Sequence, residues 1–450
     1  MPRSLKKRFF SAELCRQDRS IWEIALPCIL ENLLTFAAGL VIAAMIGRLS
    51  GDDISAQAIG TRITGVLQSL FKGIGVGATV VIGMFYGMNR LEKCRKTAEE
   101  MMLLVLPISL ILTAIVIYDP RPYLTLFADD NIALVELAVP YTRVAIWLVP
   151  SVAVSRIVTA AFNGQGDTRT PMVIAVTMNI INAILGYITI FMMDMGLMGA
   201  AWSLAISYFI GMVMGLAALY HKRGLYSSAR REGRLFHDGW QSVRDSFTTG
   251  LPASCENMMW SAAAIIIGRA LLSYGTNAFA GYQLSSQVEE FLAAPCFGFQ
   301  IATTTLLAQS LGRKDPQEAG LYHKRIRFWG TLVSIPVVLI LILGAPLCMR
   351  LLTDKPPIQA VGASYLVIAA LAYIPQTLNM IDFGAIRVTS SKSFPLIGTM
   401  LGMWGVRVTI AALAAWVWKV DITVVFAGIA LDQVFRWLLA LGYQRVKKTV

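Results

Sequence analysis

Long apolar runs, separated by short charged or turn-forming segments, set the rhythm of the chain. A helix that crosses a bilayer needs about 20 largely apolar residues. Twelve runs meet that need: 21–46, 56–87, 98–118, 132–161, 171–192, 197–220, 246–272, 278–311, 328–349, 358–386, 394–417 and 422–444. Several are long enough to predict tilted helices that protrude beyond the lipid. The pattern predicts an all-α polytopic membrane protein with 12 transmembrane helices.

Composition agrees. Of 450 residues, 56% are hydrophobic and 15% charged, and the mean hydropathy is +0.62. A soluble chain carries about 25% charged residues. The net charge is nevertheless +12, so the cations need a place. The two ends and the loops after even-numbered spans hold 27 of the 39 Lys and Arg. Only Arg48, Arg121, Arg350, Lys355 and Lys419 fall in the other loops. Cytoplasmic loops carry the excess of Lys and Arg, so both termini are expected in the cytoplasm, as an even span count also requires. Cations spread over seven short segments do not make a nucleic-acid surface.

The six cysteines are scattered, with no C-x-x-C pair, which speaks against a disulfide framework or a thiolate metal site. The three histidines lie in polar stretches, and neither H-E-x-x-H nor a phosphate-cradling G-x-x-x-x-G-K-[ST] occurs. The first 20 residues hold no apolar core of a cleavable signal. No catalytic residue, cofactor or metal is expected, and the chain is not expected to be an enzyme.

The longest polar stretch, 221–245, divides two similar halves. Leu26-Pro27-Cys28-Ile29-Leu30-Glu31-Asn32 and Leu251-Pro252-Ala253-Ser254-Cys255-Glu256-Asn257 share L-P-x-x-x-E-N at an offset of 225. Gly51 and Ala56 match Gly275 and Ala280, Ala78-Thr79 matches Ala302-Thr303, Gly87 matches Gly312, and Pro171 matches Pro395, all at 224 or 225. Repetition across five helices indicates duplication of a six-span unit. Six spans return the chain to its starting side, so the two lobes are parallel repeats about an axis along the membrane normal. The expected organisation is a cytoplasmic N-terminus 1–20, an N-lobe 21–220, a linker 221–245, a C-lobe 246–444 and a cytoplasmic tail 445–450. Two pseudo-symmetric six-helix lobes enclosing a cleft point to a transporter.

Charge at bilayer depth costs about 2.5 kcal/mol or more, so charged groups within spans need a reason. Glu31 and Glu256 each sit about ten residues into their spans, roughly 15 Å deep at 1.5 Å per residue. Glu289 is equally central, and Asp382 lies nearer the cytoplasmic end. Neither Glu256 nor Glu289 has an opposite charge within one helical turn. Burial favours the protonated carboxyl, so such a group can trade a proton for a cation, as antiport requires. Glu31 and Asp382 are further candidates, although the repeated E-N could equally be a helix-packing contact. Asn179 and Asn182 either bond across helices or serve an ion site. Asp432 and Arg436, four apart, are expected to lock one helix, and Arg62, Lys72, Arg143 and Arg407 to snorkel or pair. Pro27 and Pro252 free a carbonyl in their helices and are either inert kinks or hinges bordering the cleft.

Gly47-Arg48-Leu49, the run Asn163-Gly164-Gln165-Gly166-Asp167-Thr168-Arg169-Thr170-Pro171-Met172, Asn182, and Gly196-Leu197-Met198-Gly199-Ala200-Ala201 carry a family resemblance in the first half. In the second half Gly275, Ala280, Gln283, Glu289 and Ala302-Thr303 through Gly312 carry it. Over essentially the whole length the chain resembles the multidrug and toxic compound extrusion (MATE) family. The resemblance implies a secondary antiporter, expected in the bacterial cytoplasmic membrane, and a fold that closes its cleft within one chain needs no partner, so a monomer is expected. It would export amphipathic, often cationic, organic compounds against H⁺ or Na⁺. Members often carry aspartates where this chain has Ile42 and Gly186, so coupling is expected at glutamates of spans seven and eight, Glu256 and Glu289. In span ten the family's G-A-x-R-G-x-G-D-T is degraded to Gly384-Ala385-Ile386-Arg387-Val388-Thr389-Ser390-Ser391-Lys392. The alternatives are a lipid-linked precursor flippase, suggested by Arg62, Arg156 and Arg269, and a non-transporting scaffold.

Overall fold

A computed structural model describes residues 12–49, 51–125, 132–221, 226 and 240–447. Most of the expected linker 221–245 lies outside the described residues, as do the N-terminal cations up to Arg8. Among the described residues all regular structure is helical. The first half runs through α1 (Ala12–Ile46), α2 (Gly51–Gly87), α3 (Leu91–Tyr118), the short α4 (Arg121–Thr125), α5 (Ile132–Ala145), α6 (Leu148–Gln165), α7 (Arg169–Tyr187) and α8 (Gly196–Tyr220). The second runs through α9 (Gln241–Leu272), α10 (Thr276–Leu292), α11 (Ala294–Gly312), α12 (Pro316–Leu343), α13 (Ala345–Leu352), α14 (Pro356–Thr389), α15 (Phe394–Thr399), α16 (Thr409–Ala412) and α17 (Ile422–Lys447).

Among the described residues nine helices are long and apolar enough to cross a membrane. Two more expected spans are broken rather than continuous: α5 and α6 meet at 44°, and α10 and α11 at 43°. Proline explains both breaks. Its ring clashes with the carbonyl four residues earlier, which for Pro150 is Ile146 and for Pro295 is Phe291, each beside the bend. The remaining expected span is α9, helical throughout but carrying Arg244, Asp245, Glu256 and Arg269. The ninth span starts at Pro316 rather than 328. Asp315 caps it by accepting a hydrogen bond from the Glu318 amide at 2.9 Å, and Pro316 suits the first helical position. Cations of the expected loop, Lys324, Arg325 and Arg327, therefore sit on helix α12.

Contacts divide the chain into two compact units: Leu30–Ser254, and Cys255–Val450 together with the stretch up to Ile29. The divisions fall inside α1 and α9, two residues after Pro27 and Pro252 respectively. The unit Leu30–Ser254 is centred on Phe71, Ile74, Tyr141, Ile146 and Leu148, all fully or almost fully buried. Within it, the first part of α9 lies against α2 at glycines. A Cβ added to Gly73 would stand 2.1 Å from the Ser254 amide nitrogen, and one on Gly77 would stand 2.1 Å from the Ser246 carbonyl oxygen. Small residues four apart let helix backbones touch, which is how membrane helices gain packing energy.

The other unit builds its core from Tyr365, Tyr373, Phe426, Ala370 and their neighbours. The first part of α1 belongs to it. Trp22 packs edge-on to Phe299 and Trp329, at 5.7 and 5.4 Å between ring centres. Asp18 accepts hydrogen bonds from Arg325 Nε at 2.9 Å and Trp329 Nε1 at 2.8 Å.

Tyr226 is one described anchor in the inter-half segment. Its amide donates to the Leu219 carbonyl at 2.9 Å, and its buried hydroxyl accepts from Gln165 Nε2 at 2.9 Å. Burial pushes that hydroxyl well above its ordinary pKa, so it stays neutral. Tyr226→Phe leaves the Gln165 amide without this partner and is expected to cost about 1–3 kcal/mol, read as a lowered thermal midpoint of the detergent-purified protein. An unchanged midpoint would remove this anchor.

Candidate functional site

Helix α9 carries Glu256 and Trp260 four residues apart, hence on one face. Glu256 Oε2 lies 2.6 Å from Nη2 of Arg387 on α14. Thr399 at the end of α15 donates to Glu256 Oε1 at 3.2 Å. Arg387 is 5% exposed and the Glu256 side chain 17%, so the carboxylate is the more accessible partner. The helical neighbourhood of Glu256 contains no opposite charge. Its partner comes from 131 residues away, in the degraded span-ten motif that still keeps its arginine.

Glu289, near the end of α10, accepts a hydrogen bond from the Tyr365 hydroxyl of α14. The Tyr365 ring is held edge-on by Tyr282 at 5.1 Å and 84°, and by Phe426 at 5.1 Å and 76°. Arg407 and the exposed Glu290 are its charged neighbours. Arg407 belongs to a π-helical segment, Met400–Val408, inserted between α15 and α16. Such insertions change the direction of side chains along a helix and recur at functional sites.

Asp432 of α17 is fully buried. Arg436 grips it from one turn away, Nε to Oδ1 at 2.8 Å and Nη2 to Oδ2 at 2.7 Å. Arg407 Nε is 2.9 Å from Oδ2, although that N–H is not aligned for a hydrogen bond. Both guanidiniums lie over the Trp260 ring, at 4.8 Å for Arg407 and 5.1 Å for Arg436. Gly402 makes the approach possible, since a Cβ there would fall 2.5 Å from both Asp432 Oδ1 and Arg436 Cγ. The Asp432–Arg436 pair expected from spacing is present, and Arg407 joins it across helices. Sequence reasoning passed over Trp260 and Tyr365. The i, i+4 spacing of Glu256 and Trp260 was the one visible signal.

Asp382 stands apart, fully buried in a second cluster. His323 Nε2 is 2.9 Å from its Oδ1, and Arg327 Nη1 is 3.5 Å away. The polar stretch around His323 is helix, and the ring is 2% exposed. Glu31, Asn179 and Asn182 belong to the unit Leu30–Ser254. Glu31 is half-buried with Arg156 as its charged neighbour, Asn179 Nδ2 donates to Thr35 Oγ1 at 3.1 Å, and Asn182 is buried. Ile42 packs beside Met45 on the small cluster of Ile46, Ile190 and Ala200. At Gly186 an added Cβ would meet Ser203 Oγ at 3.6 Å and Met45 Sδ at 3.8 Å. Ile42 thus stands in apolar surroundings, whereas the nearest atom to a side chain at Gly186 is the Ser203 hydroxyl oxygen. Pro27 and Pro252 both lie within uninterrupted helix. Among the described residues no three His, Cys, Asp or Glu side chains gather closely enough to hold a metal ion.

The model of the MatE family matches twice, over residues 27–188 and 252–413. These matches begin 225 residues apart, at the two prolines. A relative from Thermotoga maritima, named probable multidrug resistance protein NorM, is 26% identical over 443 residues, covering 97% of this chain and 94% of its own. A solved structure described as the outward-facing conformation of a multidrug resistance MATE family transporter of the MOP superfamily superposes with a TM-score of 0.89 at 18% identity, over 96% of each chain. A MOP superfamily transporter from Pyrococcus furiosus, described as having a binding pocket of reversed polarity, gives 0.86 at 19% identity, also over 96% of each.

Proposed function

The chain belongs to the MatE family, and on that premise we propose that it is a secondary antiporter for amphipathic, often cationic, organic compounds. Inward H⁺ or Na⁺ drives their export as the two lobes open to each side in turn. The named multidrug resistance relative supports the substrate class. In this reading the chain works as a monomer in the bacterial cytoplasmic membrane and uses no cofactor beyond the coupling ion.

One observation carries the reading: Glu256 is held by Arg387 and Thr399 in a span interior, and its carboxylate is the more open side of the pair. An ionised carboxylate there is stabilised by the guanidinium, and a proton or an incoming cation competes for the same two oxygens. Glu289 repeats the theme, with the Tyr365 hydroxyl as a displaceable donor. Both carboxylates carry the exchange. Glu31, Asn179, Asn182 and Asp382 are auxiliary polar groups of the path. Pro27 and Pro252 are hinges, which agrees with the division of the chain two residues beyond each.

The test is export of ethidium from proteoliposomes under an imposed pH gradient or an imposed Na⁺ gradient, applied separately. Glu256→Gln and Glu289→Gln are each expected to lower driven export at least tenfold while the protein remains monodisperse. If both variants export like the parent chain, the reading is wrong. The gradient that supports export identifies the ion.

A further inference from the structure

On α3, Glu99, Met102, Leu103 and Leu106 follow the i, i+3, i+4, i+7 spacing of a single helix face. They border a cavity of about 430 Å³ in the unit Leu30–Ser254. Met212, Leu216 and Tyr220 form its other wall at four-residue spacing on α8, and Val154 of α6 lies between. Helix α6 packs against both α3 and α8. Leu103 is 50% and Leu106 37% exposed, so the cavity is a groove open to the side of the helices. Its polar lining is confined to one end, at Glu99 and Tyr220. From there it runs roughly 10 Å along α3 to Leu106, at 1.5 Å per residue. Glu99 follows the cation-rich segment 88–97, and Tyr220 ends α8 before the cation-rich segment 221–245. The polar end is therefore at the cytoplasmic boundary of the membrane.

Arg95 lies one turn before Glu99 on the same face of α3. Its Nε donates to Glu99 Oε1 at 2.7 Å, its guanidinium lies over the Tyr220 ring at 5.6 Å, and its Nη1 donates to the Tyr226 carbonyl at 3.4 Å. The Arg95 side chain is 25% exposed and that of Glu99 12%, so a fixed cation and a carboxylate stand side by side at the mouth of an apolar slot. We propose that this groove seats one phosphatidylethanolamine of the cytoplasmic leaflet, its phosphate at Arg95, its ammonium at Glu99 and one acyl chain along Leu103 and Leu106. The charges select the headgroup. A guanidinium presents a planar fork of donors suited to phosphate, and an ammonium brings three N–H donors to a carboxylate. The quaternary ammonium of phosphatidylcholine has no N–H to donate. Phosphatidylglycerol sets no cation against Glu99, and the exposed Glu92, one turn beyond Arg95, adds a second negative charge on this face. The two methionines are flexible enough to follow a mobile chain, and a tyrosine at headgroup level is in its preferred place. The proposal goes beyond the antiporter reading and does not depend on it.

The experiment offers phosphatidylethanolamine, phosphatidylcholine and phosphatidylglycerol, with identical acyl chains, to the delipidated full-length protein and counts bound lipid by native mass spectrometry. The parent chain is expected to hold one phosphatidylethanolamine about tenfold more tightly than either competitor. Phosphatidylethanolamine with a photoreactive acyl chain is expected to label α3 or α8. Glu99→Gln is expected to keep one lipid but lose the preference for phosphatidylethanolamine over phosphatidylcholine. Leu103→Trp fills the slot from its exposed side and is expected to lose the lipid. Equal retention of the three lipids, tighter retention of phosphatidylglycerol, or retention of none overturns the proposal with no variant needed, as does labelling confined to other helices. A Leu103→Trp protein that holds phosphatidylethanolamine like the parent chain, or a Glu99→Gln protein with the parent's preference, overturns it as well.

Discussion

Gly77→Leu is expected to yield no correctly folded protein, and even Gly77→Ala to lose about 1–3 kcal/mol. The site is a backbone-to-backbone crossing. A Cβ on Gly77 would stand 2.1 Å from the Ser246 carbonyl oxygen and 2.6 Å from the Gly250 nitrogen, while one on Gly250 would stand 2.8 Å from the Ile74 Cα. No side-chain rotation relieves a clash with backbone, so α2 and the first part of α9 must separate along their contact. Alanine offers about 1 kcal/mol in helix propensity over glycine, which is too little to offset an overlap of this size. Gly65 on the same helix is the internal control, since nothing lies within 4 Å of its Cβ position. Gly65→Ala is expected to be neutral or stabilising by up to about 1 kcal/mol. Thermal unfolding in detergent, followed by size-exclusion chromatography, reads both. Equal midpoints for Gly77→Leu and the parent chain would sink the argument.

Asp432→Ala is the second substitution expected to be severe, at about 3–5 kcal/mol, the usual cost of breaking a buried ion pair from one side. Asp432 is fully buried and is the carboxylate nearest to both Arg407 and Arg436. Its loss leaves two guanidiniums stacked on Trp260 without a counter-charge between them. Replacing Arg407, Asp432 and Arg436 together by Met, Leu and Met removes the charges as a set, and most of the stability is expected to return. The comparison of thermal midpoints is decisive. If Asp432→Ala unfolds within about 1 kcal/mol of the parent chain, the triad is not a stabilising element of its unit.

The sequence carried the architecture far better than the site. A repeat offset of 224–225 was visible in scattered glycines, prolines and the L-P-x-x-x-E-N segments, and the family model matches twice at that spacing. Helix breaks beside Pro150 and Pro295 were missed because hydropathy continues unchanged through them, and only the proline stereochemistry interrupts the helix. The start of α12 was misplaced because charged residues beyond the lipid still form helix when Asp315 caps them. In the site, depth along the span identified Glu256 and Glu289 as unusual. Their partners were hidden, since Arg387 is 131 residues from Glu256 and Tyr365 is 76 from Glu289. Local spacing reads Arg436 against Asp432, but a third member arriving through a π-helical segment leaves no periodic trace. His323 looked like a loop residue because its neighbours are cations, yet its ring faces Asp382 in the interior.

The division of the chain inside α1 and α9 has a consequence for cutting the chain in two. The opening segment, as far as Ile29, packs with the second half, and the stretch before Cys255 packs with the first. Neither copy of the repeat therefore coincides with a compact unit, and a cut between the copies would part Trp22 from Phe299 and Trp329 and the Ser246–Ser254 stretch from the glycines of α2.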